Sequence, residues 1–190
     1  MKLINECTLG IIKSIEALST ISNPVVFEFN TSELTAFTEK GCEIQSPAWN
    51  RLGREFEKIP SPVLYWFRII SDNKPIEIYQ TIKSFKEQQI PGNSFRAVPA
   101  LRPASAINDS SILYAGCCGS TTFVSRMFWH FGYYNVGRTQ GLQLCHWSQS
   151  LKLQLEINAL VFPQEAKQLI YVYEKHLAEK MNPIIGKHRG

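Results

Sequence analysis

The spacing of apolar residues predicts that the first sixty positions are mainly helical. Apolar side chains recur at helical intervals from Leu3 to Ile21. Ser46 followed by Pro47 is typical of a helix start, and this second helix is expected to end before Pro60. Between the two helices, the segment from Val25 to Phe29 is strand-like.

Beyond residue 60, strands are predicted to alternate with helices. Pro62 to Ile70 is short, aromatic and β-branched, which favours a buried strand. A helix is expected next, to about Gln88, followed later by a strand at Ile112 to Ala115. Apolar and polar residues alternate from Leu151 to Asn158 and predict a half-buried strand. A long amphipathic helix is expected from Pro163 to Met181.

Three connecting segments have weaker patterns. Thr31 and Ser32 can cap a short helix that stops at Gly41. Phe95 to Val98 is interpreted as a further strand, and Leu101 to Asp109 as a loop.

This order of elements predicts an α+β domain with a small central mixed or antiparallel β-sheet flanked by helices. With 190 residues, the chain suits one domain with a small appendage. We expect residues 1–60 to form a mainly helical N-terminal extension and residues 61–190 to form the principal domain.

Composition narrows the function only slightly. The net charge of +4 is compatible with a polyanionic partner but does not establish one. The five cysteines are odd in number and include no CxxC pair, which favours reduced thiols in a cytoplasmic protein. No apolar run approaches the roughly 18 residues needed to cross a bilayer, so we expect no membrane partner. The oligomeric state stays open.

The candidate chemistry centres on the segment from Ser111 to His130. A strand leads through a glycine-rich turn, Gly116 to Gly119, into a helix that carries Arg126 and His130. These two residues are four positions apart and are therefore neighbours on the helix surface. A strand that enters a helix through glycines is a common phosphate-binding arrangement.

Four ordered elements resemble the GIY-YIG nuclease family. Val63-Leu64-Tyr65 and Tyr114-Ala115-Gly116 resemble the two tripeptides for which the family is named. An arginine helix follows, with Arg126, and Glu174 lies nine positions before Pro183 (183 − 174), as at the end of the family's domain. The resemblance covers roughly Pro62 to the C-terminus.

The sequence departs from the family pattern at several positions. The first tripeptide lacks its glycine, and Cys117 replaces the lysine that often follows the second. Gly186 stands where an asparagine is common. Tyr65 and Tyr114 are 49 positions apart (114 − 65), so the resemblance implies an insertion at about 71–109.

The resemblance implies a metal-dependent endonuclease that hydrolyses phosphodiester bonds in nucleic acid, with DNA as the favoured partner. Arg126 would stabilise charge on the phosphoryl group, and Glu174 would hold Mg²⁺ or another divalent cation. Tyr65 would act as the base, provided that its pKa is lowered from about 10. Tyr114 would hold the water or the phosphate, and His130 would share the task of the base or of phosphate binding, since its ordinary pKa lies near working pH.

Three alternatives remain at this point. A catalytically inactive nucleic-acid-binding module could use the same fold. Cys117 or Cys118 could be a nucleophile with His130 or His146 as its base. Both cysteines, with Cys145 and His146, could also form a zinc site, although adjacent ligands favour buried thiols.

Overall fold

Four apolar segments pair as an antiparallel sheet in a computed structural model that describes residues 2–35, 46–89, 97–107, 109–133 and 141–186. The spatial order is β1-β4-β2-β3, and each neighbouring pair is antiparallel. The strands are β1 (Val25–Asn30), β2 (Val63–Ile69), β3 (Ile112–Cys118) and β4 (Gln154–Val161).

Six α-helices surround this sheet in the described part of the chain. They are α1 (Lys2–Leu18), α2 (Pro47–Glu57), α3 (Pro75–Glu87), α4 (Phe123–Phe131), α5 (Leu144–Trp147) and α6 (Ile170–Met181). Short 3₁₀ segments occupy Thr31–Glu33, Ala104–Ala106, Gln149–Leu151 and Gln164–Leu169.

The two faces of the sheet are covered by different helices. On one face, an aromatic core joins the sheet to α2 and α4, as in the edge-on contact of Phe56 with Phe123 at 5.5 Å between ring centroids. On the other face, Leu64 belongs to a smaller apolar cluster with Phe162 and Ile170, and α6 packs against β3 and β2. Helices on both faces explain why β2 is almost entirely buried.

The C-terminal segment fixes α6 along the sheet. After α6 ends, the backbone N–H groups of Ile184 and Ile185 donate to the carbonyl oxygens of Ile112 and Leu113, both at 2.9 Å. These bonds lie on the outer edge of β3, the last strand of the sheet. The C-terminal end of α6 is therefore held at a defined position beside β3.

The α+β class and the antiparallel option for the sheet are confirmed, as are the strands predicted near residues 25, 62, 112 and 151. Residues 1–60, predicted as an N-terminal extension, include β1, which pairs with β4, and α2, which contributes to the aromatic core. Residues 71–109, the expected insertion, contain α3 and the turn Ala104–Ala106.

Some local predictions need correction. The predicted helix from Pro163 begins instead as 3₁₀ over Gln164–Leu169, where the Ser14 hydroxyl of α1 donates to the Glu165 carbonyl at 2.6 Å. Of the strand expected at 95–98, positions 95 and 96 lie outside the described residues, and 97 and 98 are not in a strand. Positions 36–41 of the helix expected to stop at Gly41 also lie outside them.

Thr31 gives a test of how β1 is joined to β4. Its buried hydroxyl donates to the Ser148 carbonyl and accepts from the Leu153 N–H, both at 2.9 Å. Thr31→Val preserves the shape but leaves the buried Leu153 N–H unpaired and removes one of the two hydrogen bonds to the Ser148 carbonyl, which keeps the bond from the Leu151 N–H. We therefore expect a loss of about 1–3 kcal/mol in unfolding free energy by urea denaturation.

Thr81→Val is the matched control, since the Thr81 hydroxyl bonds its own helix at an exposed position. We expect that control to stay within about 0.5 kcal/mol of the parent. Equal losses in the two variants would contradict the assignment of a bridging role to Thr31.

Candidate functional site

The two predicted tyrosines lie on the same face of the sheet, below α4. The register of β2 and β3 pairs Tyr65 with Gly116 and Phe67 with Tyr114, so the two tyrosines are diagonal neighbours. Their ring centroids are 6.3 Å apart. Residues that are distant in the sequence thus present two phenol groups at one place.

Gly116 leaves the space that the two hydroxyls occupy. A Cβ atom at this position would lie 2.9 Å from Tyr65 Oη, 3.0 Å from Tyr114 Oη and 2.7 Å from Tyr114 Cε1. Side chains do not tolerate such contacts without a shift of their neighbours. The last glycine of the second tripeptide is therefore required by packing beneath the hydroxyls.

Helix α4 places Arg126 and His130 above these phenols. The helix begins at a cap in which the Thr122 hydroxyl accepts from the Ser125 N–H, and it ends at Gly132, whose φ of 99° is left-handed. Phe123, Met127 and Phe131 anchor one side of the helix in the core; Arg126 and His130 are one turn apart on the site side.

A chain of hydrogen bonds joins the helix to Tyr65. Arg126 Nε donates to Tyr65 Oη at 2.9 Å, and His130 Nε2 lies 2.7 Å from the same oxygen. The Leu142 backbone N–H donates to His130 Nδ1 at 3.2 Å. Because Nδ1 accepts a hydrogen bond, the neutral ring carries its proton on Nε2, and this N–H donates a hydrogen bond to the Tyr65 oxygen. The Tyr65 oxygen therefore accepts two hydrogen bonds.

Burial determines the protonation of this cluster. The Tyr65 side chain has 0% exposure, and burial raises its pKa well above 10, although the charge of Arg126 acts in the opposite direction. Burial likewise raises the pKa of Tyr114, and the negative charge of Glu174 adds to this effect. The lowered pKa that a base role for Tyr65 requires is thus not found, because desolvation outweighs the neighbouring cation.

Arg126 and His130 respond differently to the same environment. Burial opposes the charge of Arg126, but its contacts with the two phenols raise its pKa, so the guanidinium stays charged. The Tyr114 hydroxyl is also close enough to act on the guanidinium. Burial, followed by the nearby Arg126 cation, holds the pKa of His130 well below 6.5. The cluster therefore combines one cation with a neutral imidazole and two neutral phenols.

Glu174 approaches from the other side of β3. The Cys117 thiol donates to Glu174 Oε2 at 3.1 Å. Cys117 and Tyr114 are three positions apart in a strand, so their side chains point to opposite faces. Glu174 thus reaches β3 from the face covered by α6, and its charge acts on both Tyr114 and Cys117. Tyr65, Tyr114, Arg126 and His130 thus lie together below and on α4, whereas Glu174 approaches β3 from the α6 side and acts on Tyr114 through its charge.

The cysteine alternatives fit the geometry poorly. Burial and Glu174 raise the pKa of Cys117, which keeps its thiol protonated. Burial also raises the pKa of Cys118. The nitrogens of His130 contact Tyr65 and Leu142, and His146 Nε2 lies 3.1 Å from the Gly132 carbonyl oxygen. Neither histidine is therefore placed as the base of a thiol nucleophile.

Within the described ranges, no three His, Cys, Asp or Glu side chains are grouped as metal ligands. The ligand cluster that the zinc alternative requires is therefore not found among these residues. A magnesium ion needs fewer protein ligands, because it keeps several waters and binds phosphate oxygens. The half-buried Glu174 carboxylate, which contacts Cys117 on the side of β3 opposite to Tyr65, Arg126 and His130, offers one such ligand.

Sequence reasoning missed three contributors to this arrangement: the Leu142 N–H, the space above Gly116, and the thiol of Cys117 beside Glu174. The glycine was visible as part of the tripeptide. The other two depend on distant segments that meet only in the folded chain.

Among the residues that the structure describes, none of the helices has the length and hydropathy required to cross a bilayer. No protein-family model matches the sequence, and searches of curated proteins and of solved structures found no significant similarity to any of them.

Gly116→Ala tests the packing beneath the two hydroxyls. Since the new methyl group would meet three tyrosine atoms at 3.0 Å or less, we expect a loss of about 1–3 kcal/mol in unfolding free energy. Gly10→Ala is the control, because Gly10 lies within α1 with nothing within 4 Å of the added atom. That substitution should instead stabilise the protein, by up to about 1 kcal/mol. If neither Gly116→Ala nor Gly10→Ala changes the unfolding free energy, the packing argument for Gly116 is wrong.

His130 predicts a pH dependence of stability. Its pKa is lowered in the folded state, so the unfolded chain binds more protons between that value and 6.5. Stability should therefore fall as the pH decreases below 6.5, by up to about 1.4 kcal/mol per pH unit. Thermal unfolding between pH 5 and pH 8 measures this slope.

His130→Gln should reduce that slope, whatever its effect on stability at neutral pH. His176→Gln, at an exposed position on α6, is the control and should keep the parent slope. A slope that is unchanged in the His130 variant would show that other groups cause the acid sensitivity.

Proposed function

We propose that this protein is a divergent GIY-YIG-type endonuclease that hydrolyses phosphodiester bonds in DNA with a divalent cation such as Mg²⁺. The observation that carries the proposal is the convergence of Tyr65, Tyr114, Arg126 and His130 in one buried cluster, with the Glu174 carboxylate on the opposite side of β3, close enough for its charge to act on Tyr114. The order of these residues along the chain is that of the resemblance described above.

Arg126 is the phosphate-binding group in this proposal. Its hydrogen-bond partner Tyr65 and its neighbour Tyr114 are neutral phenols, so they orient the guanidinium without neutralising it. A guanidinium has five N–H donors, which leaves donors for the oxygens of a phosphate. A partly buried cation with neutral partners favours an anion and stabilises the charge that develops during hydrolysis.

Tyr65 and His130 act as positioning residues in the free protein. The Leu142 N–H fixes the tautomer of His130, His130 donates to Tyr65, and Tyr65 accepts from Arg126. This chain holds the guanidinium in one orientation, which lowers the entropic cost of binding a phosphate in a reactive geometry. Tyr114 is the phenol on which the charge of Glu174 acts, and it is assigned to hold the water or the phosphate.

Glu174 would hold the metal ion. When bound there, a divalent cation supplies positive charge to the phosphoryl oxygens and makes water more acidic. Donation from Cys117 orients the carboxylate before a metal arrives.

The hydrolysis exchanges one phosphorus–oxygen bond for another. A water oxygen forms a bond to phosphorus while the bond to the leaving sugar oxygen breaks. One proton of the water passes to solvent, and the leaving oxygen takes up a proton. Arg126 stabilises the negative charge of the pentacoordinate transition state through this exchange.

A non-catalytic nucleic-acid-binding module is the second candidate. It is favoured by the raised pKa of both phenols, because neither Tyr65 nor Tyr114 can accept a proton from water near neutral pH. This candidate predicts salt-sensitive DNA binding without nicking under any divalent ion.

Cleavage of supercoiled plasmid with Mg²⁺ tests the enzyme directly. Arg126→Lys keeps the positive charge but removes the planar guanidinium with its paired N–H donors. Glu174→Gln removes the anionic metal ligand. We expect each variant to lower the cleavage rate at least about 100-fold. Arg54→Lys on α2 and Glu179→Gln on α6 are exposed controls and should retain the parent rate.

Thermal unfolding should show that all four variants are folded. Cleavage that persists undiminished in both site variants would remove the proposed mechanism. Binding without cleavage in the parent protein would favour the second candidate.

A further inference from the structure

An apolar groove lies beside Arg126, between α2 and α4. It has a volume of about 320 Å³ and is lined by Trp49, Val124, Ser125, Phe128 and Trp129. Trp49 and Phe128 meet edge to face, with ring centroids 5.2 Å apart at 68°. Three of the five lining side chains are therefore aromatic, and the aromatic pair is fixed by its own packing.

Arg126 connects the candidate site to the groove. Arg126 Cζ lies 5.6 Å from the ring centroid of Trp129, within the range of a cation–π contact. The same guanidinium donates to Tyr65. A ligand with an anionic group on Arg126 would thus have its adjacent part at the aromatic residues of the groove.

We infer that this groove binds an unpaired nucleobase next to the phosphate held by Arg126; the inference rests on the proposed function. A nucleotide has the required chemistry, since its phosphate is attached through a sugar to a flat ring with a π-face. Stacking on aromatic side chains beside a basic group is how proteins bind single-stranded nucleic acid. The apolar lining suits a ring face better than a second phosphate.

This occupant defines the class of substrate. In a duplex, both faces of a base are stacked and its edge is paired, so the base enters a protein groove only after leaving the helix. The groove therefore favours DNA that contains a single-stranded segment, a bulge or an unpaired end near the bond to be cleaved.

Binding measured without divalent ions tests the inference apart from cleavage. Fluorescence anisotropy would compare a labelled single-stranded oligonucleotide with an abasic one of equal length, which has the same phosphates but no bases. Because phosphate contacts are common to both, the ratio of affinities isolates the contribution of the bases. We expect the parent protein to bind the normal strand at least about tenfold more tightly.

Trp129→Ala should bring this ratio close to one, whereas Trp129→Phe, which keeps a flat ring, should retain most of it. Any change in the position of Arg126 would weaken both strands alike and leave the ratio unchanged. Tyr79→Ala, at a half-buried aromatic residue of α3 outside the groove, is the matched control and should keep the parent ratio. Thermal unfolding would verify that each variant is folded.

The outcomes separate the two proposals. A parent ratio near one, or a ratio unaffected by Trp129→Ala, in a protein that cleaves plasmid DNA overturns the nucleobase site and leaves the proposed function intact. Absence of binding to either strand together with absence of cleavage overturns both. A single-strand preference that is lost in Trp129→Ala and retained in Trp129→Phe supports the groove as the base site.

Discussion

The positive charge of Arg126 is the constraint on which the rest of the site depends. A cation that is largely removed from water must find hydrogen-bond partners, and unpaired burial would cost several kcal/mol. Here the Tyr65 hydroxyl accepts from Nε and the Tyr114 hydroxyl lies nearby, and neither neutral phenol cancels the charge. A carboxylate in their place would stabilise the arginine more strongly but would compete with an incoming phosphate.

Several features of the fold follow from keeping that cation in place. The β2–β3 register brings the two tyrosines together, and Gly116 leaves room for their oxygens. The aromatic contacts of α4 with α2 and with the sheet fix the distance between α4 and the two tyrosines. Burial lowers the pKa of His130 and keeps the ring neutral, and the nearby Arg126 cation adds to this effect.

The regular elements could be predicted from the sequence because their patterns are strong. β2 is aromatic and β-branched, which predicts a buried strand. Apolar and polar residues alternate at the start of β4, which predicts a strand with one buried face. The 3₁₀ segment Gln164–Leu169 could not be predicted, since it involves a carbonyl that is taken by Ser14, about 150 positions away. Local propensity contains no information about such a contact.

The candidate site shows the same division. Residue types and order indicated which side chains to examine, but protonation depends on burial, which is a property of the folded chain. Tyr65 illustrates this limit: its position in the tripeptide suggested a base, whereas its complete burial makes it a hydrogen-bond acceptor for Arg126. His130 likewise depends on the Leu142 N–H, which no side-chain motif indicates.

The bonds from Ile184 and Ile185 to β3 have a consequence beyond the positioning of α6. An outer strand with unpaired carbonyl groups invites a strand from another molecule, which leads to aggregation. By occupying two of these acceptors, the segment that follows α6 caps part of the exposed border of the sheet. The segment that holds the C-terminal end of α6, the helix that carries Glu174, thus also opposes β-pairing with another molecule at this edge.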